Sequence, residues 1–238
     1  MLKINFENPT QSDLDLILEN IGNQHPEIRD EYLFNSFAQN AQNFNETQLN
    51  WLFKQLISNL ESTDRLVKSF SALFLVRIIN LQPKLISSKL IDAIFDAFIK
   101  ETDVTGFDRE VGWVHLFAHF SDLIFTIIYL GDKTNFSEEQ IQTILIKVFN
   151  LEEELQNHTE GRIANVFAMA IDKQIIKFND LLNWLEELSS KEYPQYLTTI
   201  DFTLKLLAIL DFENLISSIQ KQQLWDLIKN LYQEKGYL

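Results

Sequence analysis

Glycine and proline are scarce in this chain, and they fall where helices would begin or end. Pro9, Pro26, Pro83 and Pro194, with Gly22, Gly106, Gly112, Gly131, Gly161 and Gly236, are the only ten such residues in 238. Proline breaks a helix interior, and glycine weakens helices and strands alike. The long intervals between them are rich in Leu, Ile, Lys, Glu and Gln, residues that favour helix. The spacing agrees. Ile141, Ile144, Leu145, Val148 and Phe149 follow the i, i+3, i+4, i+7, i+8 pattern of one buried helix face. Leu90, Ile91, Ile94, Phe95, Phe98 and Ile99 repeat it, as do Leu66, Phe70, Leu73, Phe74, Ile78 and Leu81.

Local start signals support the same reading. Ser137 with Gln140 makes a capping box, and Phe136 is placed to staple onto Ile141. Asn45 with Gln48 is a second box, and Asn179 or Asp180 is expected to cap the segment 181–188. Helices are predicted over 11–21, 27–42, 46–61, 63–81, 87–101, 111–130, 137–154, 160–177, 180–190, 194–210 and 213–234, the last with a break near Lys221. No strand alternation stands out. So many helices with short connections cannot form one simple bundle. The expected fold is all-α, an α-α superhelix of stacked antiparallel helix pairs like those of HEAT and armadillo proteins. No Pro-, Gly- or Ser-rich linker divides the chain, so residues 1–238 are read as a single domain.

Composition narrows function mainly by exclusion. Without cysteine there are no disulfides, thiolate metal sites or Cys nucleophiles. The first eight residues hold one lysine and no apolar run of signal-peptide length, and the apolar run Leu123–Leu130 is too short to span a bilayer. The expected compartment is the cytoplasm. The formal net charge is −14, with 20 basic residues scattered among 34 acidic ones. Nucleic acid and anionic membrane are therefore not expected partners. The acidity reads as solubility, or as complementarity to a basic protein partner. Nucleotide-binding glycine loops, the Gly-x-Ser-x-Gly elbow, the EF-hand pattern and a triad-like order of Ser, His and Asp are all missing from the sequence.

One segment departs from this plain pattern. Glu101, Asp103, Gly106 and Gly112 lead into Trp113, His115, His119 and Asp122. At 100° per residue, a helix starting near residue 111 puts His115, His119, Asp122 and Thr126 within a stripe about 60° wide, with Trp113, Leu116 and Phe117 on the opposite side. A buried polar stripe needs partners. Three readings stand: a hydrogen-bond network that locks helices together, a divalent metal held by His115, His119 and Asp122, or metal-free catalysis or ligand binding. Glu101, Asp103 or Glu160 can supply further oxygen ligands. No Glu follows the first His, so this is not the His-Glu-x-x-His protease motif. No cofactor is required by any motif. In a second cluster, Glu160 and Arg162 open the next helix after the acidic run Glu152–Glu154; the first reading is an ordinary solvated acidic turn, and the functional one makes Glu160 and Arg162 charge partners of the His115 stripe.

Together these landmarks resemble an uncharacterised bacterial family of the domain-of-unknown-function type. The resemblance rests on four blocks between about residues 25 and 175: Arg29-Asp30-Glu31-Tyr32; Ser69-Phe70-Ser71-Ala72-Leu73; the run from Glu101 through Gly112, Trp113, His115, Ala118 and His119 to Asp122; and Glu160 with Arg162. Lys68 and Thr105 stand where the family pattern has arginine, so the resemblance carries no phosphate- or carboxylate-binding role over to either position. The resemblance implies a HEAT-like helical fold and no established activity. The functional reading is a non-enzymatic binding protein with a concave helical surface. The alternative is a metal- or ligand-dependent enzyme, of hydrolase type, centred on His115, His119 and Asp122. The candidate site residues are Asp103, Trp113, His115, His119, Asp122, Glu160 and Arg162.

Overall fold

Local capping fixes where several helices start. The structure, a computed structural model, describes residues 2–132, 135–189, 195–234 and 236. Thr10 with Asp13, Asn45 with Gln48, and Ser137 with Gln140 each form a complete, reciprocal capping box. They open α1 (Gln11–Asn20), α3 (Glu46–Asn59) and α7 (Glu138–Phe149). Phe136 and Ile141, flanking the last of these, are both buried. Asp64 caps α4 (Arg65–Leu81) by accepting from the N–H groups of Leu66 and Val67. Ser87 caps α5 (Ser88–Lys100).

The chain divides into two compact units, 1–131 and 132–238. In the first, α1 packs on α3, α3 on α5, and α4 on α6 (Leu116–Leu130). Alternate helices therefore stack in two layers, the arrangement expected of antiparallel helix pairs. Phe37 stacks on Phe74 at 4.6 Å, and Phe98 meets Phe117 edge-on at 5.1 Å within this core. The second unit repeats the scheme. Here α7 packs on α9 (Phe178–Ser189), α9 on α11 (Ser218–Glu234), and α8 (Thr159–Asp172) on α10 (Gln195–Phe212). Phe202 sits edge-on to both Phe149 and Phe167 at 5.4 Å. The all-α class and the stacking of helix pairs within each unit agree with the sequence. No helix among the described residues is long and apolar enough to cross a membrane.

Several departures from the predicted helices occur, and the first two bear on the candidate site. The segment predicted as one helix over 27–42 is a π-helix (Glu27–Phe34), then α2 (Asn35–Asn40), then a 3-10 turn to Asn43. The helix predicted from residue 111 starts at Leu116, because Phe107–Asp108 (β1) and Gly112–Trp113 (β2) pair as an antiparallel hairpin. The short hairpin escapes period-2 analysis because each strand is only two residues long. In the second unit, α7 ends at Phe149, so Glu152–Glu154 lie beyond the helix rather than in its last turn. Asn179 and Asp180 lie inside α9, which starts at Phe178, and α11 runs unbroken past Lys221.

Candidate functional site

The site is a loop and hairpin, residues 101–115, held against α4 and the π-helix. Three carboxylates brace it in the same way. Glu101 Oε1 accepts the N–H groups of Thr102 and Asp103 at 2.9 Å, and its other oxygen pairs with Lys68 of α4. Asp103 Oδ1 accepts the N–H of Thr105 at 2.9 Å, while Oδ2 lies 3.5 Å from Arg65 of α4. Asp108 Oδ1 accepts from Glu110 N at 2.8 Å and Val111 N at 3.2 Å, and its Oδ2 receives Arg65 Nη2 at 2.6 Å. Each acid thus turns its own main chain with one oxygen and hands the other to a cation on α4. Side chains that bond their own nearby backbone favour turns over helix, which is why this stretch leaves the helical pattern. The Glu110 N–H, the Arg65 guanidinium and the Val111 N–H together hold the Asp108 carboxyl below its ordinary value.

Arg29 anchors the hairpin from beneath. Its side chain is wholly buried. Nη2 donates to the main-chain oxygens of Val111 at 2.9 Å and Trp113 at 3.1 Å, and Nη1 donates to Asn23 O at 3.0 Å. Nε lies 2.6 Å from Asp30, the nearest counter-charge, and the guanidinium carbon stands 4.5 Å over the Phe70 ring. Burial pushes the Asp30 carboxyl up, a shift that its bond to Arg29 opposes but does not cancel. Planar geometry and several donors suit arginine to such a buried, many-acceptor position. Gly112 lets the hairpin come this close: its φ is +76°, and a Cβ there would lie 3.1 Å from Pro26 Cβ.

The histidines close the cluster. His115 sits outside α6, as its N-cap, with left-handed backbone at φ 50°. The helical stripe is therefore interrupted at its first member. Trp113, expected on the opposite side, stacks parallel on His115 at 4.5 Å. His115 and His119 approach to 5.8 Å between ring centroids. His119 meets Phe70 edge-on at 5.5 Å, and its Nδ1 lies 2.7 Å from Ser69 Oγ. Ser69 also donates to Val114 O. A hydroxyl has one proton, and a carbonyl can only accept. The Ser69 proton is therefore spent on Val114, and His119 Nδ1 is the donor to Ser69. A nucleophilic serine needs the reverse polarity, donating to the histidine. The pair acts as a tie between α4, the segment that follows β2, and α6.

The remaining sequence candidates fall as follows. Asp122 lies one turn beyond His119 on α6, half-buried, and its main-chain oxygen accepts Thr126 Oγ1 at 2.7 Å. Glu160 and Arg162 belong to the second unit, where buried Glu160 pairs with Lys205 at 2.8 Å. Among the described residues no group of three or more His, Asp or Glu is arranged to hold a metal ion. Asp103 is a brace for the loop, with Arg65 as its charge partner. Sequence reasoning missed Arg65, Ser69, Phe107 and Asp108 as members of the cluster. The turn Asp108–Gly112, an acid four residues before a glycine, was the available signal for the hairpin.

Phe107 and Trp113 face each other across the hairpin, edge-on at 4.9 Å, and remain 47% and 43% exposed. The anchored hairpin therefore presents an aromatic pair at the surface.

The family model for DUF2785, described as a protein of unknown function, matches residues 52–231. No curated protein and no solved structure matches the chain.

Proposed function

This chain belongs to the DUF2785 family of proteins of unknown function, and we propose that it is a non-enzymatic binding protein that engages a protein partner through the Phe107–Trp113 pair. The observation that carries the reading is the contrast between the exposed pair and its foundation. Large aromatic side chains on a rigid support bind with little loss of conformational freedom, and they dominate the energetics of many interfaces. Here the support is a buried arginine, three braced carboxylates and the Ser69–His119 tie. The polarity of that tie also favours binding over nucleophilic catalysis. The net charge of −14 favours a partner with a basic rim around its apolar contact.

The test places a photo-crosslinking phenylalanine analogue at position 107 in the native cell. A discrete protein adduct is expected. It disappears when Trp113→Ala is added, and it is absent when the analogue replaces exposed Ile146 instead. No adduct at 107, or one that is indifferent to Trp113→Ala, overturns the reading.

A further inference from the structure

Sharing the Lys68–Glu101 pair with the brace of the hairpin loop, α3, the start of α4 and α5 line a groove of about 860 Å³. That volume is in the range of small-molecule clefts. On the α5 side Ala93 and Ala97, one helical turn apart, leave its wall shallow. Charge of both signs surrounds this small-residue wall, and four lysines reach it from three helices: Lys54 from α3, Lys68 from α4, and Lys89 and Lys100 from α5, the last paired with Asp96 at 3.1 Å.

Lys68 differs from an ordinary surface lysine. Its side chain is 20% exposed, and its ammonium is paired with Glu101, of which 6% is exposed. Glu101 in turn is fixed by the two N–H groups it accepts from Thr102 and Asp103. An ammonium carries three N–H donors. One goes to Glu101, and no other acceptor for Lys68 occurs among the described residues. The groove wall therefore holds a pinned cation with unused donors, a group whose ordering is complete before any ligand arrives. Lys54 and Lys89 form no ion pair among the described residues, and neither do Glu61 and Asp92, which line the same groove.

The mixture selects against a simple anion. A phosphate or dicarboxylate would meet Glu61 and Asp92 at the groove, and the field of a chain with net charge −14 on approach. A molecule with both an ammonium and a carboxylate satisfies both sets. We infer that this groove binds a zwitterion of short-peptide chemistry, with its carboxylate on Lys68 and its ammonium on the Asp92 side.

Calorimetric titration of the whole chain tests this with three probes: trialanine, N-acetyl-trialanine and inorganic phosphate. Trialanine is expected to bind with a Kd of about 1 mM or tighter, and the acetylated form, lacking the ammonium, about fivefold more weakly. Phosphate is expected not to saturate. Lys68→Met should abolish trialanine binding. Because that change strands Glu101 in a buried place, the exposed-rim variants Asp92→Ala and Lys89→Ala provide the second reading, each weakening trialanine two- to fivefold, by roughly the worth of a surface ion pair. Trialanine giving no heat up to about 10 mM, some tenfold above the expected Kd, overturns the inference. So does acetylation making no difference, phosphate competing as an equal, or both rim variants binding as the wild type does. None of these outcomes bears on the hairpin, whose crosslink is read separately.

Discussion

Ser69 Oγ lies 2.7 Å from His119 Nδ1, joining two helices 50 residues apart in the chain, and the serine proton is directed to Val114 O. His119→Ala should therefore lower stability by about 1–3 kcal/mol, the usual cost of leaving buried polar partners unpaired. Ser69→Ala should act in the same direction. The two changes share one network, so the double variant should lose less than the sum, with a coupling of at least about 0.5 kcal/mol. Urea unfolding of the four proteins measures this. Strict additivity would remove the tie.

Arg29 is the more severe test. Arg29→Met keeps an unbranched apolar stem but leaves Val111 O, Trp113 O and Asn23 O without their donor. A loss of about 3–5 kcal/mol is expected, the range for breaking a buried charged network. If the variant remains folded, hydrogen exchange should quicken at Val114 N–H, which closes the base of the hairpin on Gly106 O. Protection equal to wild type would mean that the hairpin holds without its anchor.

Two glycines should respond with opposite sign to alanine. At Gly112 the backbone is left-handed and the new Cβ meets Pro26 at 3.1 Å, so Gly112→Ala should destabilise by about 1–3 kcal/mol. Gly161 sits in the first turn of α8, where a Cβ meets only Lys205 Cδ at 3.5 Å. Gly161→Ala should stabilise by about 0.4–1 kcal/mol by restricting the unfolded chain. Thermal melts of both variants decide the pair.

Asp108 gives the hairpin a defined response to acid. Its carboxyl titrates below 3.8, its ordinary value, in the folded chain, so the ionised form is the one that folding favours. The stabilisation is complete above 3.8 and falls away as pH drops through the lower, folded value. Asp108→Asn should therefore be less stable than wild type at pH 7, and the gap should close as the solution is acidified below that ordinary value. A gap that is the same at every pH would show that neither the Glu110 N–H nor the Arg65 guanidinium favours the ionised carboxyl.

How much of this was legible in the sequence follows from the distance over which each feature is decided. Ser137 and Asn45 stand three residues from their reciprocal partners, and both boxes are found as read. Apolar faces repeat locally as well, so the helices and their class emerged from periodicity alone. The candidate cluster did not. His115 was placed on a helix by counting, and a left-handed residue at the N-cap breaks the count. The cations that answer Glu101 and Asp108 are Lys68 and Arg65, 33 and 43 residues earlier. Nothing in local spacing links them, because each pairing is made by tertiary packing of the loop on α4. The histidine and tryptophan positions lie at this loop and hairpin, and among the described residues no group of three or more His, Asp or Glu is arranged there to hold a metal ion.

Arg29 grips the hairpin by carbonyl oxygens of Val111 and Trp113, atoms that every amino acid carries. The anchorage is thus blind to the identity of the residues it holds. Exposed Arg109 and Glu110 at the tip can change side chain without loosening the mount, provided position 110 keeps the N–H that Asp108 accepts, while Gly112 cannot change. Specificity can drift on a fixed pedestal, and a library randomised at 109 and 110 without proline at 110 should yield folded members throughout.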